Sequence, residues 1–242
     1  MSKKSTARLP DPAGILLIDK PVGLTSHDVV DRVRKAFGYR KVGHAGSLDP
    51  LATGVLVLLV GKATRAQDRF LNDDKVYRGT VRLGSATTTQ DAGGEVTERH
   101  EGPLGVSRER LQEVMQGFVG EIDQTPPMVS AVKHKGKPLY KYARKGVEIE
   151  RKPRKIKIYE LKLLGFDGET IELEVACSKG TYVRTLAHDI GQKLGCHGHL
   201  SSLRRVRSGP FAEEDLHTLE KVLGSRREEV LYMLRLVSEV SG

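Results

Sequence analysis

Apolar runs bounded by turn residues dominate the first part of the chain and predict alternating strands and helices. Residues 14–19 are rich in branched apolar side chains and end at a Lys-Pro-Val-Gly turn, which predicts a strand followed by a loop. Thr25 or Ser26 then caps a segment whose apolar residues recur on one face as far as Phe37, as in an amphipathic helix. The glycine-bounded run 55–60 predicts a fully buried strand.

The middle of the chain combines helical and alternating patterns. Residues 63–71 predict a short helix, and residues 76–83 alternate in a way that turns Tyr77 inward. The stretch 85–105 is dense in threonine, glycine and acids, so it predicts a loop. After this loop, Ser107 caps a further predicted helix.

The second half predicts a hairpin with helices on either side. Residues 139–145 indicate a short helix, and residues 156–166 and 171–177 predict two strands joined by an Asp-Gly turn. The next predicted helix ends at Gly195. The tail over residues 215–240 predicts one or two helices.

Composition favours a nucleic acid partner. The chain has 242 residues, and its 40 Lys and Arg against 31 Asp and Glu give a net charge of +9. Such a charge suits a polyanion, although an acidic protein or membrane headgroups would also fit. No apolar run approaches the roughly 18 residues of a membrane span, and the amino end does not resemble a secretory signal, so we expect a cytoplasmic protein.

Other kinds of site find little support. The two cysteines, Cys177 and Cys196, form no Cys-x-x-Cys pair, which argues against a disulfide framework or a thiolate metal site. The segment 196–199 crowds one cysteine and two histidines into four residues, too close to surround one ion. The chain contains neither a phosphate-binding loop nor a nucleophile elbow, which excludes nucleotide hydrolysis and serine esterase chemistry of those types.

A basic arm is predicted over residues 124–155. It begins with an exposed stretch that contains two adjacent prolines and several basic side chains. Tyr140 and Tyr142 lie among its cations, and this combination of charge for phosphate and rings for unpaired bases favours RNA binding. A solvated helix face explains the same stretch equally well.

Asp49 is the acid of a small-residue segment, residues 43–54, that leads into the apolar run described above. Taken alone, its Asp-Pro pair is ordinary turn chemistry, and a solvated turn is the better interpretation. A reactive carboxylate in a closed site would need a cation, because burial alone raises its pKa. Arg184, at a predicted junction of strand and helix, is the candidate cation.

The segment 43–54 resembles the active-site motif of the bacterial tRNA pseudouridine-55 synthases, the TruB family. Five further segments match in order and spacing, and the resemblance covers roughly residues 11–211: 19–26, 77–79, 124–127 with 130–133, 179–184 and 203–205. It implies an α+β pseudouridine synthase fold, with a mixed, mostly antiparallel sheet flanked by helices and loops. It also implies that Lys20 supports the active-site loop.

The resemblance implies an isomerase that converts uridine 55 in the T-loop of tRNA to pseudouridine. The uracil is detached at N1, turned and rejoined through C5, and neither a cofactor nor a metal is implied. Asp49 is the implied catalytic nucleophile with Arg184 as its partner, and Tyr77 stacks on the uracil and helps to remove the C5 proton. Whether Asp49 attacks C1′ or promotes a glycal intermediate stays open.

Substrate binding is implied for four residues of this chain: His44, Tyr77, Tyr182 and Leu203. His44 enters the tRNA loop as the target base leaves the stack, and Tyr182 and Leu203 line the uridine pocket. The basic arm lies where the family closes over the T-stem loop. The expected partner is therefore tRNA, bound by a monomer without a guide RNA or a membrane.

Two departures from the family pattern affect these expectations. Thr88 replaces an acid of the family, although Asp91 remains close by. We predict a catalytic domain over residues 1–212 and a helical tail over residues 213–242, without the full PUA module that many members carry. A non-catalytic tRNA-binding protein or tRNA-folding chaperone is the main alternative, and a guide-RNA-dependent synthase is disfavoured because the usual carboxy-terminal module is lacking.

Overall fold

The computed structural model describes residues 11–130, 132–143 and 145–240 of the chain. Its strands in chain order are β1 (Gly14–Lys20), β2 (Val42–His44), β3 (Ala52–Val60), β4 (Lys75–Leu83), β5 (Ser85–Thr87), β6 (Val96–Arg99), β7 (Gly120–Gln124), β8 (Lys133–His134), β9 (Lys137–Pro138), β10 (Arg154–Phe166), β11 (Thr170–Cys177), β12 (Gly198–Ser208), β13 (Phe211–Ala212) and β14 (His217–Thr218).

The helices contribute to the cores on both faces of the sheet. They are α1 (Ser26–Phe37), α2 (Gln67–Leu71), α3 (Arg108–Gln116), α4 (Leu139–Ala143), α5 (Val183–Leu194), α6 (Leu219–Gly224) and α7 (Arg227–Met233), with 3-10 turns at Gly61–Ala66, Glu213–Asp215 and Val237–Val240. No helix in these parts of the chain is long and apolar enough to span a membrane.

Ten strands of the described chain form one mixed sheet. Eight of them follow the order β14, β1, β3, β12, β4, β11, β10, β7, with β2 paired to β3 and β13 paired to β12. Two pairings are parallel, β1 with β14 and β3 with β12, whereas the others are antiparallel. The predicted mixed, mostly antiparallel sheet flanked by helices is therefore confirmed.

Strands β1 and β3 are buried on both faces, which explains their continuous apolar sequences. Leu16 and Leu58 belong to the larger core, which also contains the apolar faces of α1, α3 and α5. Leu17 and Val57, which alternate with them, pack instead with Phe70 and Phe211 on the other side. The sheet is thus the middle layer of the molecule.

Helix ends follow the local sequence signals. Thr25 caps α1, since its hydroxyl accepts from the backbone amide of Asp28 and the Asp28 carboxylate accepts in return from the Thr25 amide. Ser107 caps α3, and Gly195 ends α5 with a positive φ of 78°. The short helix predicted over residues 63–71 is a 3-10 turn followed by α2.

Three predictions were wrong or incomplete. The predicted loop over residues 85–105 contains the paired strands β5 and β6, and β12 corresponds to no predicted element although it lies between β3 and β4. The sequence of β12 is rich in serine and arginine, so its inward positions carry no apolar alternation. The tail does form short helices, but β14 also joins it to the main sheet beside β1. The division near residue 212 stays a prediction.

Gly54 permits the parallel contact between β3 and β12. Its φ is +92°, and a Cβ there would lie 2.3 Å from the carbonyl oxygen of Arg205. Gly168, in the hairpin turn, has a similar φ of +101° but open space around it. Substitutions at the two glycines therefore allow the cost of backbone strain to be separated from the cost of steric overlap.

We expect Gly54→Ala to lower the free energy of unfolding by about 3 kcal/mol or more, because strain and overlap with β12 combine. Gly168→Ala, the matched control, should cost only about 1 kcal/mol of strain. Urea denaturation of both variants measures the difference. Equal losses would show that β12 moves away without cost.

Candidate active site

The Asp49 loop (residues 45–51) connects β2 to β3 and is held by neighbouring segments. The hydroxyl of Ser26, on α1, accepts a hydrogen bond from the Leu48 amide at 2.7 Å and lies 3.2 Å from the Leu48 carbonyl as a donor. Lys20, which is fully buried, directs its Nζ to the Pro50 carbonyl at 3.5 Å. These contacts fix the backbone on both sides of Asp49.

Arg184 meets Asp49 at the amino end of α5. Its Nε lies 2.9 Å from the Oδ2 of Asp49, and its side chain is 4% exposed. The two terminal nitrogens donate to the carbonyls of Thr89 and Val129, each at 2.9 Å. Backbone groups of two other segments therefore hold the guanidinium beside the carboxylate.

Asp91 is a second carboxylate beside Arg184, and the sequence interpretation did not include it among the site residues. Its Oδ2 lies 3.6 Å from the Arg184 Nε. Its Oδ1 accepts from the Thr89 hydroxyl at 2.6 Å and the Gly93 amide at 3.0 Å. The sequence signal for the contact between Asp91 and Arg184 was the presence of an acid three residues after Thr88, where the family carries an acid.

The environment of Asp49 has opposing effects on its charge. The side chain is 42% exposed. Its surroundings nevertheless raise its pKa, mainly through burial and also through the charge of Asp91, whereas Arg184 and Lys20 lower it. Arg184 is the largest influence that favours the ionised carboxylate.

Tyr77 lies on β4 and is buried, as the alternation predicted. Burial raises its pKa, and the charge of Arg205 opposes this. Burial likewise raises the pKa of Tyr182, and the charge of Asp49 adds a smaller effect in the same direction at both tyrosines.

Gln124 holds the backbone of Tyr182 immediately before α5. Its side-chain oxygen accepts from the Tyr182 amide at 2.8 Å, and its nitrogen donates to the Tyr182 carbonyl at 3.1 Å. The prediction of an exposed arm starting at residue 124 was wrong here, because Gln124 is 2% exposed and Ser130 is also buried. A long polar side chain gives no sequence signal for such a paired amide contact.

Most of the exposed residues of the basic arm lie beyond Ser130. Ala131 and Arg144 lie outside the described residues, as do the amino-terminal residues 1–10. Exposed cations of the arm include Lys135, Lys137, Lys141, Lys145, Lys152, Arg154 and Lys155.

His44 directly precedes the Asp49 loop and is half-buried, whereas Leu203 lies far along the chain and is buried. His44 ends β2, and burial, aided by the charges of Arg205 and His27, lowers its pKa and favours the neutral ring. Leu203 lies on β12, paired with Gly79, and a Cβ on that glycine would lie 3.3 Å from the Leu203 side chain.

Two family models match the chain. One describes the "TruB family pseudouridylate synthase (N terminal domain)" and matches residues 34–183. The other describes the "tRNA pseudouridylate synthase B C-terminal domain" and matches residues 184–237. The chain belongs to the TruB family of pseudouridylate synthases. The resemblance inferred from the motifs is thereby confirmed.

Relatives within the TruB family match most of the chain. The tRNA pseudouridine synthase B of Syntrophotalea carbinolica is 53% identical over 209 residues, which are 86% of this chain and 68% of that protein. The protein of the same name from Bordetella avium is 49% identical over 208 residues, 86% of this chain and 85% of its own.

Solved structures share the fold. A crystal structure of a Cbf5-Nop10-Gar1 complex contains a chain with a TM-score of 0.73 and 33% identity, covering 94% of this chain and 61% of that one. The structure of an H/ACA ribonucleoprotein bound to a substrate RNA with 2'-deoxyuridine contains a chain with a TM-score of 0.65 and 32% identity. The match covers 87% of this chain and 52% of that one.

Substitutions of Arg184 and of Asp91 should shift the pKa of Asp49 in opposite directions. Arg184→Met should raise it, because the largest charge that lowers it is removed. Asp91→Asn should lower it, because a like charge is removed. Carbon-13 NMR titration of labelled aspartate carboxyls measures both.

Arg82→Met is the control, since Arg82 pairs with Glu169 at the surface and should leave Asp49 unaffected. Shifts of the same sign in the Arg184 and Asp91 variants would contradict the charge arrangement described here.

Proposed function

We propose that the chain is a tRNA pseudouridine synthase that isomerises uridine 55 of the T-loop, with Asp49 as its nucleophile. The observation that carries this proposal is the 2.9 Å pair of Arg184 and Asp49, two residues of separate family motifs. Relatives that share 53% and 49% identity with the chain are named tRNA pseudouridine synthase B, which supports the substrate and the reaction.

The chemistry requires an ionised carboxylate next to the ribose. The N1–C1′ bond breaks, the uracil turns, and a C5–C1′ bond forms. C5 then loses its proton and N1 gains one, so atoms and charge balance without an oxidant. Arg184 favours the charged form of Asp49. To Tyr77, on β4, we assign stacking on the uracil and a part in removing the C5 proton.

Substrate binding requires the target nucleotide to leave the tRNA stack. We assign Tyr182 and Leu203 to the pocket for the flipped uridine and His44 to the space that it leaves. The neutral form favoured at His44 suits insertion among bases, since a charged ring would be costly to desolvate.

The exposed cations of the basic arm are the proposed contacts to the T-stem phosphates. We further propose that the protein acts as a monomer in the cytoplasm and needs no guide RNA.

Asp49→Asn should abolish pseudouridine formation in unmodified tRNA, since the amide is neither a nucleophile nor a base of comparable strength. Binding of tRNA should change little, because the side chain carries no phosphate contact. Mapping of pseudouridine by chemical labelling and reverse transcription, together with filter binding, measures both. Turnover by this variant at the normal rate would exclude the mechanism, and pseudouridine at another uridine would exclude the proposed target.

Affinity for tRNA should fall steeply with salt, and Lys135→Gln with Lys137→Gln should reduce the slope of log Kd against log salt by about 1 to 2. Lys162→Gln is the control, because Lys162 pairs with Glu160 and Glu174 on the face of the sheet opposite Tyr77. An unchanged slope in the double variant would remove these lysines from the RNA contact.

A further inference from the structure

Arg205 is a buried cation that the proposed reaction does not use. It lies on β12 with 1% of its surface exposed, and no carboxylate of the described chain lies within 4.0 Å of its guanidinium. A buried charge needs polar partners, because removal from water is otherwise costly. Its partners are therefore informative about its role.

Backbone carbonyls of the Asp49 loop and of β3 supply these partners. The guanidinium donates to Val55 at 2.7 Å, Gly46 at 3.1 Å and Ser47 at 3.5 Å. Gly46 has a φ of +98°, and a Cβ there would lie 3.3 Å from the guanidinium, so the missing side chain allows this close approach. One planar group thus joins the loop to the strand that follows it.

Tyr77 is the cross-strand partner of Arg205. The two residues are paired between β4 and β12, so their side chains leave the sheet on the same face. The positive charge of Arg205 opposes the burial that raises the pKa of Tyr77, as expected for neighbouring side chains. Arg205 therefore bonds the loop that carries Asp49 and lies beside the tyrosine assigned to the uracil.

Arg204, the neighbouring residue, has a different environment. Its guanidinium bonds Asp19 at 2.9 and 3.1 Å and Glu213 at 2.8 Å, and its side chain is 35% exposed. Successive strand residues point to opposite faces, so Arg204 stabilises the other side of the sheet. It provides a matched control for an arginine on the same strand.

We propose that Arg205 is a positioning residue that sets the separation between Asp49 and Tyr77, so that both groups meet the same nucleoside. The inference rests on the proposed function for its kinetic consequence. The flat guanidinium bonds several carbonyls at fixed angles, whereas the single ammonium of a lysine bonds them without that geometry. Arg205→Lys keeps the charge and removes the geometry.

The kinetic test compares Arg205→Lys, Arg205→Met and Arg204→Met in single-turnover reactions with excess protein over tRNA. Displacement of reacting groups by an ångström costs up to about 100-fold, so Arg205→Lys should react about 10- to 100-fold more slowly with little change in tRNA affinity. Deuterium at C5 of the target uridine should slow Arg205→Lys more than the unsubstituted protein, because removal of that proton becomes limiting. Arg204→Met should lower the melting temperature but keep the rate and the isotope effect.

A structural test does not depend on activity. Hydrogen exchange of the peptide over residues 44–51 should be faster in Arg205→Lys than in the unsubstituted protein and unchanged in Arg204→Met. Normal exchange and a normal rate in folded Arg205→Lys would overturn the inference, as would equal rate losses in the Arg204 and Arg205 variants. If the unsubstituted protein forms no pseudouridine, the proposed function fails, whereas the exchange measurement still decides the positioning role. Arg205→Lys decides both tests if Arg205→Met does not fold.

Discussion

The contact between Asp49 and Arg184 constrains much of the surrounding structure. A carboxylate in a partly enclosed cleft tends to take up a proton, and the arginine opposes this at 2.9 Å. Carbonyls of Thr89 and Val129 hold the other nitrogens of the arginine and so fix its position. Asp91 adds a second negative charge that balances the cation but also raises the pKa of Asp49. The charge of the site is thus a property of several chain segments together.

The Asp49 loop is held mainly through its backbone. Lys20 and Arg205 are both buried, and both direct their charged groups to carbonyl oxygens of this loop. Carbonyl partners satisfy the hydrogen bonds of a buried cation without neutralising it. Of the two cations, Lys20 lowers the pKa of Asp49 and so favours its ionised form.

Strand β12 connects these features. It lies between β3, which follows the Asp49 loop, and β4, which carries Tyr77, and it contributes Leu203 and Arg205 to the same face. The close parallel contact with β3 depends on the absence of a side chain at Gly54. Strand β12 has few apolar residues, but it joins the strand that follows the Asp49 loop to the strand that carries Tyr77.

The sequence by itself determined the elements whose signals are local. Strands β1, β3 and β4, the capped helices α1 and α3, and the inward direction of Tyr77 follow from apolar periodicity and capping residues. The motif order also identified the family. The ion pair of Asp49 with Arg184 was inferred as a requirement of charge, and the fold brings these distant residues together.

Only the tertiary structure decided which polar residues are buried. Gln124 was placed in an exposed arm, β12 was not predicted, and Asp91 and Arg205 were given no role, although all of them contact the site. A buried polar side chain is stable when partners from other segments satisfy its hydrogen bonds, and those partners are distant in the chain. Local sequence patterns report burial of apolar groups, whereas the burial of polar groups depends on long-range contacts that only the folded chain supplies.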